Sequence, residues 1–418
     1  MPESPPFRLT NTLAREVQTV TPVAYAPDGR PLLRFYSCGP TVYSYAHIGN
    51  FRTFLTADLV VRTAEALGWA VRYVSNVTDV GHLTEDDVAD GAGEDKMAKA
   101  LASKDGEAFE TVWDLARHYT EALKRDWDLL NLIEPDIRPR ATEHVREQIL
   151  AVEALMASGH AYETADGVYF HVPSFPDYGK LSGNTDAEGL VEGTREVVRD
   201  DGKRDPRDFA LWKGSKPGEP ESASWGSPWG TGRPGWHIEC SAMSIKYLGR
   251  RFDIHTGGVD NIFPHHEGEI GQSEAFIGAP VVNTWVHGQH LLADGVKMAK
   301  STGNSFTVAD IESQQIDPLA LRYLCLTARH STRIYFTFTS LKAAQRALLH
   351  LRNRVWQWKL ASTHPNEAPE TGDAAADGPA ASDEVPPSEP APVGVDELKS
   401  EWIARFLDLV NDNLDLPS

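Results

Sequence analysis

The sequence predicts an α/β fold built on a parallel sheet, and three observations carry that expectation. Leu33–Cys38 is apolar and β-prone, and Gly39-Pro40 breaks it. An amphipathic helix follows from about Ile48 to Leu67, with apolar Leu55, Leu59 and Val60 near one face, and Gly68 stops it. Ala70–Asp79 then alternates as a second strand. Strand, helix and strand in about 45 residues make a right-handed βαβ unit with parallel strands.

Helical periodicity returns at Glu107–Leu132 and Thr142–Ala157, and Ala161–Pro173 reads as a hairpin. Ser182–Gly235 is rich in Gly, Pro, Ser and Trp and reads as loops with short elements. Sheet character resumes at Phe252–His255 and near Trp285–Leu292, and helices dominate from Asp317, most clearly over Ser340–Leu360. Ala361–Gly394 consists of Ala, Pro, Glu, Asp and Ser with no apolar pattern, so a disordered linker or surface insertion is expected. A helix is expected from about Val395, and no internal repeat is present.

At 418 residues the chain can bury more than one core, which predicts two to four domains. No apolar run approaches the ~20 residues that span a bilayer, so no membrane association is expected. The N-terminus lacks the basic start and apolar core of a secretory signal. Three cysteines cannot build a disulfide framework and fit the reducing cytosol, so a cytoplasmic protein is expected. The net charge of −20 argues against a nucleic-acid partner only at first sight, because nine acidic residues and no Lys or Arg fall between Thr363 and Glu397. A local basic face elsewhere would suffice for RNA.

Two distant strings carry the chemistry. In the first, His47-Ile48-Gly49-Asn50 sits where strand meets helix, and the helix N-terminus offers free N–H groups and partial positive charge to a phosphate. Gly49 permits close backbone approach, while His47 and Asn50 can donate further hydrogen bonds. In the second, Lys297, Lys300 and Ser301 lie in a loop flanked by Gly295 and Gly303. Two lysines and a hydroxyl suit a polyphosphate whose charge grows as its bond to the α-phosphorus breaks; the plainer reading is a solvated basic turn. The sequence contains no GxxxxGK[ST] loop, which argues against that ATPase class.

Cys38, just before the first string, and Cys240, His265 and Glu269, between the two, make a plausible zinc shell of two thiolates, an imidazole and a carboxylate. His265 and Glu269 are four apart, on one face if Pro264 opens a helix. No short CxxC pair supports the set, buried inert cysteines are the alternative, and His266 is the rival ligand by proximity. Cys325 reads as core. Trp236 and Asp260 flank the candidate ligands; they read either as core and turn residues, or as a hydrophobic wall and an anchor for an ammonium group.

The strings CGPTVYSYAHIGNFRTF, NVTDV, RPRATEHV, DFALWK, WGSPWGTGRPGWHIECSAMS, FPHHEGEIGQSEA and KMAKSTGN occur in the order seen in bacterial cysteinyl-tRNA synthetases. The chain resembles that family over its whole length. His47–Asn50 stands at the family's HIGH-type signature and Lys297–Ser301 at its KMSKS-type signature. The resemblance implies a class I synthetase with a Rossmann-like parallel-sheet catalytic domain in two halves, 1–128 and 231–308, around an insertion domain at 129–230. A helical stem at 309–360, the linker at 361–394 and the start of a helical anticodon-binding region at 395–418 are implied to follow. It implies that Cys38, Cys240, His265 and Glu269 hold one Zn²⁺ per chain and that Thr78, Trp236 and Asp260 line the amino-acid pocket. His47, Gly49, Asn50, Lys297, Lys300 and Ser301 are implied to bind ATP, with His47, Asn50, Lys297 and Lys300 catalytic. The implied partners are L-cysteine, ATP with Mg²⁺ and tRNA(Cys), and a monomer is expected.

The implied reaction activates cysteine as its adenylate and transfers it to the terminal ribose of the tRNA. Departures from the family pattern are Ser44 for Asp, Asn50 for His, Ala299 for Ser, and the string RHSTR at Arg329–Arg333. The chain also ends where the family continues through further helices, so most of an anticodon-binding region is expected to be missing. Two other readings compete. One is the cysteine ligase of mycothiol biosynthesis, which resembles these synthetases but acylates an amino sugar; the other is a non-catalytic paralogue that binds zinc or nucleotide.

Overall fold

The apolar run at Leu33 forms the strand Pro31–Ser37, which the computed structural model sets inside a parallel sheet. The structure describes residues 6–80, 96–184, 202–216, 223–298 and 303–363. Lys300, Ser301, linker residues 364–394 and the segment 395–418 therefore lie outside the described residues. The strand pairs on one side with Ala70–Ser75 in register Phe35↔Tyr73. On the other side it pairs with Phe252–Gly258 in register His255↔Tyr36, and that strand pairs with Val282–Gly288. All three pairings are parallel, and the short Ala24–Tyr25 adds antiparallel to the start of Pro31–Ser37.

The chain winds outward from the centre in both directions. It leaves Pro31–Ser37 for Ala70–Ser75 on one side, and Phe252–Gly258 for Val282–Gly288 on the other. The carboxyl ends of the two central strands are thus a topological switch point, where open α/β sheets bind ligands because the following loops part there. Cys38 follows one of these strands and Asp260 the other.

The connecting helix, Ile48–Ala66, is buried on more than the one face its pattern suggested: thirteen of its nineteen residues are buried. Ala57, Val60 and Val61 pack on Leu33, Phe35 and Ile254 of the sheet. Phe51, Phe54 and Leu55 instead join a second core with Val308, Leu321 and Leu324. A helix with apolar layers on both sides needs no polar face, so its amphipathicity is weak.

Arg52 lies inside this junction, 2% exposed. Its guanidinium donates to the carbonyls of Cys325 (2.7 Å) and Arg329 (2.6 Å) at the end of the helix Leu319–Leu326, where helix carbonyls otherwise lack partners. Asp58, one turn and a half onward, accepts from Arg62 (2.9 Å), Arg322 (2.6 Å) and the Ile133 N–H (2.9 Å). These charges clamp the helix to the region beyond the sheet. Arg52→Leu is expected to lower unfolding free energy by about 3 kcal/mol, since it strands buried carbonyls. Urea denaturation checks it, and a change below about 0.5 kcal/mol would refute the clamp.

The stretch read as loops with short elements, Ser182–Gly235, supplies three short strands of a five-stranded antiparallel sheet. Its order is Ala161–Thr164, Gly167–Phe170, Phe209–Gly214, Gly230–Pro234, Trp225–Ser227. The Gly and Pro residues of this stretch mark turns and close crossings between the strands. A Cβ on Gly235 would lie 2.2 Å from the Ala210 carbonyl oxygen, so only glycine lets the chain pass from this sheet into the helix Trp236–Leu248. The expected helix Glu107–Leu132 is regular over Val112–Leu129, capped by the Thr111 hydroxyl. Beyond Leu319–Leu326 the helix Phe338–Thr363 runs three residues into the expected linker. Cys325 is buried core, as its apolar context indicated.

Candidate active site and metal centre

Three elements bring the four predicted ligands together. Pro31–Ser37 ends at Cys38, the helix Trp236–Leu248 carries Cys240, and the turn Ile262–His266 leads into the helix Glu267–Ile277 with His265 and Glu269. The regular helix begins at Glu267 rather than at Pro264, because Phe263 is extended (φ −138°, ψ 135°); the four-residue spacing nevertheless puts both side chains on one side. All four residues are buried, and one donor atom from each lies within 4.8 Å of every other. The two Sγ atoms are 4.0 Å apart, and His265 Nε2 is 3.1 Å from Glu269 Oε1. A tetrahedral shell with ~2.3 Å Zn–S bonds sets its sulfurs about 3.8 Å apart. Donor chemistry and spacing therefore both fit a zinc ion.

A second donor set, Cys38, His255, His266 and Glu269, is equally close. His266 Nε2 is 3.2 Å from Cys38 Sγ, while its Nδ1 meets His287 Nε2 at 2.7 Å and His287 Nδ1 meets Thr12 Oγ1 at 2.7 Å. His255 Nε2 engages Glu269 Oε2 at 2.9 Å, which leaves Oε1 facing Cys38 and His265. Such partners orient a ligand carboxylate. Sequence reasoning missed His237, His255 and His287, which lie singly in strands or beside Trp236. The available signal was a histidine within each of two buried parallel strands, Phe252–Gly258 and Val282–Gly288.

The cluster's charge suits a cation. Burial pushes the Cys240 thiol up, but the Cys38 hydrogen bond and His265 bring it down to about 6. Burial likewise opposes the charge on Glu269, yet His255 and His265 hold it at about 2. Burial works against protonation of His265, and the Cys240 and Glu269 charges outweigh it, raising it to about 10. Two anionic donors thus share one imidazolium, which a divalent metal would replace.

A cleft of about 660 Å³ opens beside this cluster, with Cys38 and Trp236 in its lining. The Trp236 ring stacks on His265 with centroids 4.1 Å apart. Asp260 and Lys297 also line the cleft and pair directly, Lys297 Nζ to Asp260 Oδ2 at 2.7 Å. Burial works against the Asp260 charge, but Lys297 keeps its carboxyl below the usual value. Thr78 is placed differently: it is buried, is absent from the cleft lining, and its hydroxyl donates to Glu239 at 2.8 Å. Its backbone pairs with Pro40 and Val42, so it braces the loop that forms one wall.

His47 is the N-cap of Ile48–Ala66. Its Nδ1 accepts the Asn50 N–H at 3.2 Å, and Asn50 Oδ1 accepts the His47 N–H at 3.0 Å. This reciprocal box commits Nδ1 as an acceptor, so neutral His47 carries its proton on Nε2. A Cβ on Gly49 would come within 2.9 Å of His47 Nδ1, which accounts for glycine between them. Met298, unremarked in the sequence reading, is buried with Ile48 and Phe51 and seats the second signature against this helix. Lys297 is described beside it; Lys300 and Ser301 are not among the described residues.

Sheet, switch-point cleft and the two signature elements define a class I type of synthetase catalytic domain. The family described as tRNA synthetases class I (C) catalytic domain matches residues 27–346. The chain is 55% identical over 359 residues to a cysteine–tRNA ligase of Salinibacter ruber, covering 82% of this chain and 68% of that protein. It is 48% identical over 354 residues to cysteine–tRNA ligase 1 of Burkholderia lata, covering 84% and 72%. The chain belongs to the cysteine–tRNA ligase family of class I synthetases. Among solved structures, Mycobacterium tuberculosis methionyl-tRNA synthetase in complex with methionyl-adenylate shares the fold, with TM-score 0.59 at 15% identity over 82% of this chain and 74% of that one.

Proposed function

We propose that this chain activates L-cysteine with ATP and transfers it to the 3′ end of tRNA(Cys). The observation that carries the reading is the buried Cys38–Cys240–His265–Glu269 cluster beside a cleft whose lining also holds the His47–Asn50 helix start. Family membership favours this over amino-sugar acylation and over a non-catalytic role.

Cys38, Cys240, His265 and Glu269 would hold one Zn²⁺ per chain. Bound there, zinc supplies a soft Lewis acid that prefers the substrate's thiolate to a serine hydroxyl. Trp236 would wall the amino-acid site, and Asp260 would anchor the ammonium group; Thr78 acts through the Pro40–Val42 loop. The substrate carboxylate attacks the α-phosphorus of Mg-ATP, its new P–O bond forming as the bond to pyrophosphate breaks. No protein nucleophile is needed, and positioning and charge stabilisation carry the step. The helix N-terminus with Gly49, the His47 Nε2–H and Asn50 would bind the phosphates, and Lys297, Lys300 and Ser301 would meet the departing pyrophosphate. The terminal ribose hydroxyl then attacks the adenylate carbonyl and releases AMP. A site that loses a specific contact discriminates by about 10⁴–10⁵-fold, which would dispense with editing.

The domain limits at 128, 230, 308, 360 and 394 are part of this proposal, as are a cytoplasmic location and a monomeric state. No helix among the described residues is long and apolar enough to cross a membrane. The test is pyrophosphate exchange into ATP with cysteine or serine, followed by charging of tRNA(Cys). We expect cysteine-dependent exchange that chelator-treated, zinc-free protein loses by at least about 100-fold and regains with zinc. Undiminished exchange in zinc-free protein would defeat the metal's role, and exchange without charging would point to another acceptor.

A further inference from the structure

One feature of the cleft is unused by the chemistry above. Tyr45 lines it two residues before His47, with 47% of its surface exposed. Exposed tyrosines are ordinarily free to rotate, but this one is fixed on several sides. Its hydroxyl is 3.0 Å from His118 Nε2, and its ring meets Tyr119 edge-on at 5.0 Å and 88°. His118 and Tyr119 are in turn packed against Phe109, at 5.2 and 6.1 Å. The helix Val112–Leu129, which carries both residues, is anchored in the core through Leu115, Leu123 and Trp127. Lys99, exposed on the helix Lys96–Leu101, lines the same cleft, as does Tyr119.

A rigid ring with an open surface costs little entropy when a flat ligand stacks on it. Aromatic platforms with a neighbouring lysine are how proteins hold single-stranded nucleic acid, the ring taking a base and the ammonium a phosphate. The site needs such a group, because the acceptor is the unpaired end of an RNA that must reach the adenylate beside His47. We propose that Tyr45, held by His118 and Tyr119, is the stacking platform for the 3′-terminal base of the acceptor RNA, with Lys99 contacting its backbone phosphate. The inference rests on the function proposed above and assigns the partner's end to a particular wall of the cleft.

The test uses the full zinc-loaded chain as wild type, Tyr45→Ala and Tyr45→Phe. Pyrophosphate exchange reads activation, and single-turnover transfer from preformed adenylate reads the second step. A tRNA(Cys) whose terminal nucleotide lacks its base is compared with the intact tRNA. Tyr45→Ala should leave exchange within about twofold and slow transfer about 10- to 100-fold, while Tyr45→Phe keeps the ring and most of the rate. Removing the terminal base should slow the wild type by a similar factor and add little to Tyr45→Ala. Transfer at the wild-type rate in Tyr45→Ala overturns the subsite. So does a raised KM for ATP in exchange, which would put the adenine of ATP on the ring. A wild-type chain without cysteine-dependent exchange defeats the proposed function itself and the subsite with it; normal exchange with unaltered transfer defeats the subsite alone.

Discussion

Cys240→Ser is expected to abolish cysteine activation while leaving the fold in place. Cys240 is 1% exposed, and serine differs from it by one atom of nearly the same reach, so packing changes little. What changes is donor chemistry: a buried hydroxyl is a poor zinc ligand where a thiol already lowered to about 6 is a good one. Three donors would remain, with Cys38 lacking its sulfur partner at 4.0 Å. Zinc content should fall from about one per chain to a small fraction, and kcat/KM for cysteine by about 10³-fold or more. The melting curve of the zinc-free wild type is the fair reference, and the variant should match it. The same variant chooses between the donor sets, since Cys240 belongs to only one. Full zinc content and activity in Cys240→Ser would transfer the metal to His255 and His266.

His47→Ala should have the next largest effect, and here two roles must be separated. As N-cap, His47 stabilises the first turn of Ile48–Ala66 through Asn50, a contribution of about 1 kcal/mol. As a phosphate donor through Nε2–H, its loss should lower kcat for activation by about 10²–10³-fold. His47→Asn distinguishes them, because asparagine caps helices well but cannot reach as far as Nε2. Stability should return in His47→Asn while the rate stays low. If both return, the imidazole serves the helix and not the phosphates.

The first βαβ unit was legible because each of its signals is local. An apolar run, a Gly-Pro break, a periodic helix and a Gly stop need no tertiary information, and the strand and helix limits fall within a few residues of those expected. The antiparallel sheet was legible only as the hairpin over Ala161–Pro173, realised as Ala161–Thr164 and Gly167–Phe170. Its strands are short, divided by turns and paired out of sequence order, so Phe209–Gly214 sits between Gly167–Phe170 and Gly230–Pro234. Burial of the signature helix on two sides was equally hidden, because the second side is covered by residues near Leu321, far along the chain.

The candidate site divides in the same way. The two signature strings and the resemblance they carry are properties of neighbouring residues, and the sequence alone determined them, together with the four ligand types. Which residues meet is a matter of long-range geometry. Cys38 and Cys240 stand 202 positions apart, and only the return of the chain to the switch point brings their sulfurs to 4.0 Å. Only the tertiary structure puts Lys297 on Asp260, turns Thr78 toward Glu239, and surrounds Glu269 with histidines from separate elements. The physical reason is range: hydrogen-bond and steric preferences of adjacent residues decide helix, strand and turn locally. A metal shell, an ion pair or a stacking face depends on which elements the burial of apolar surface packs together.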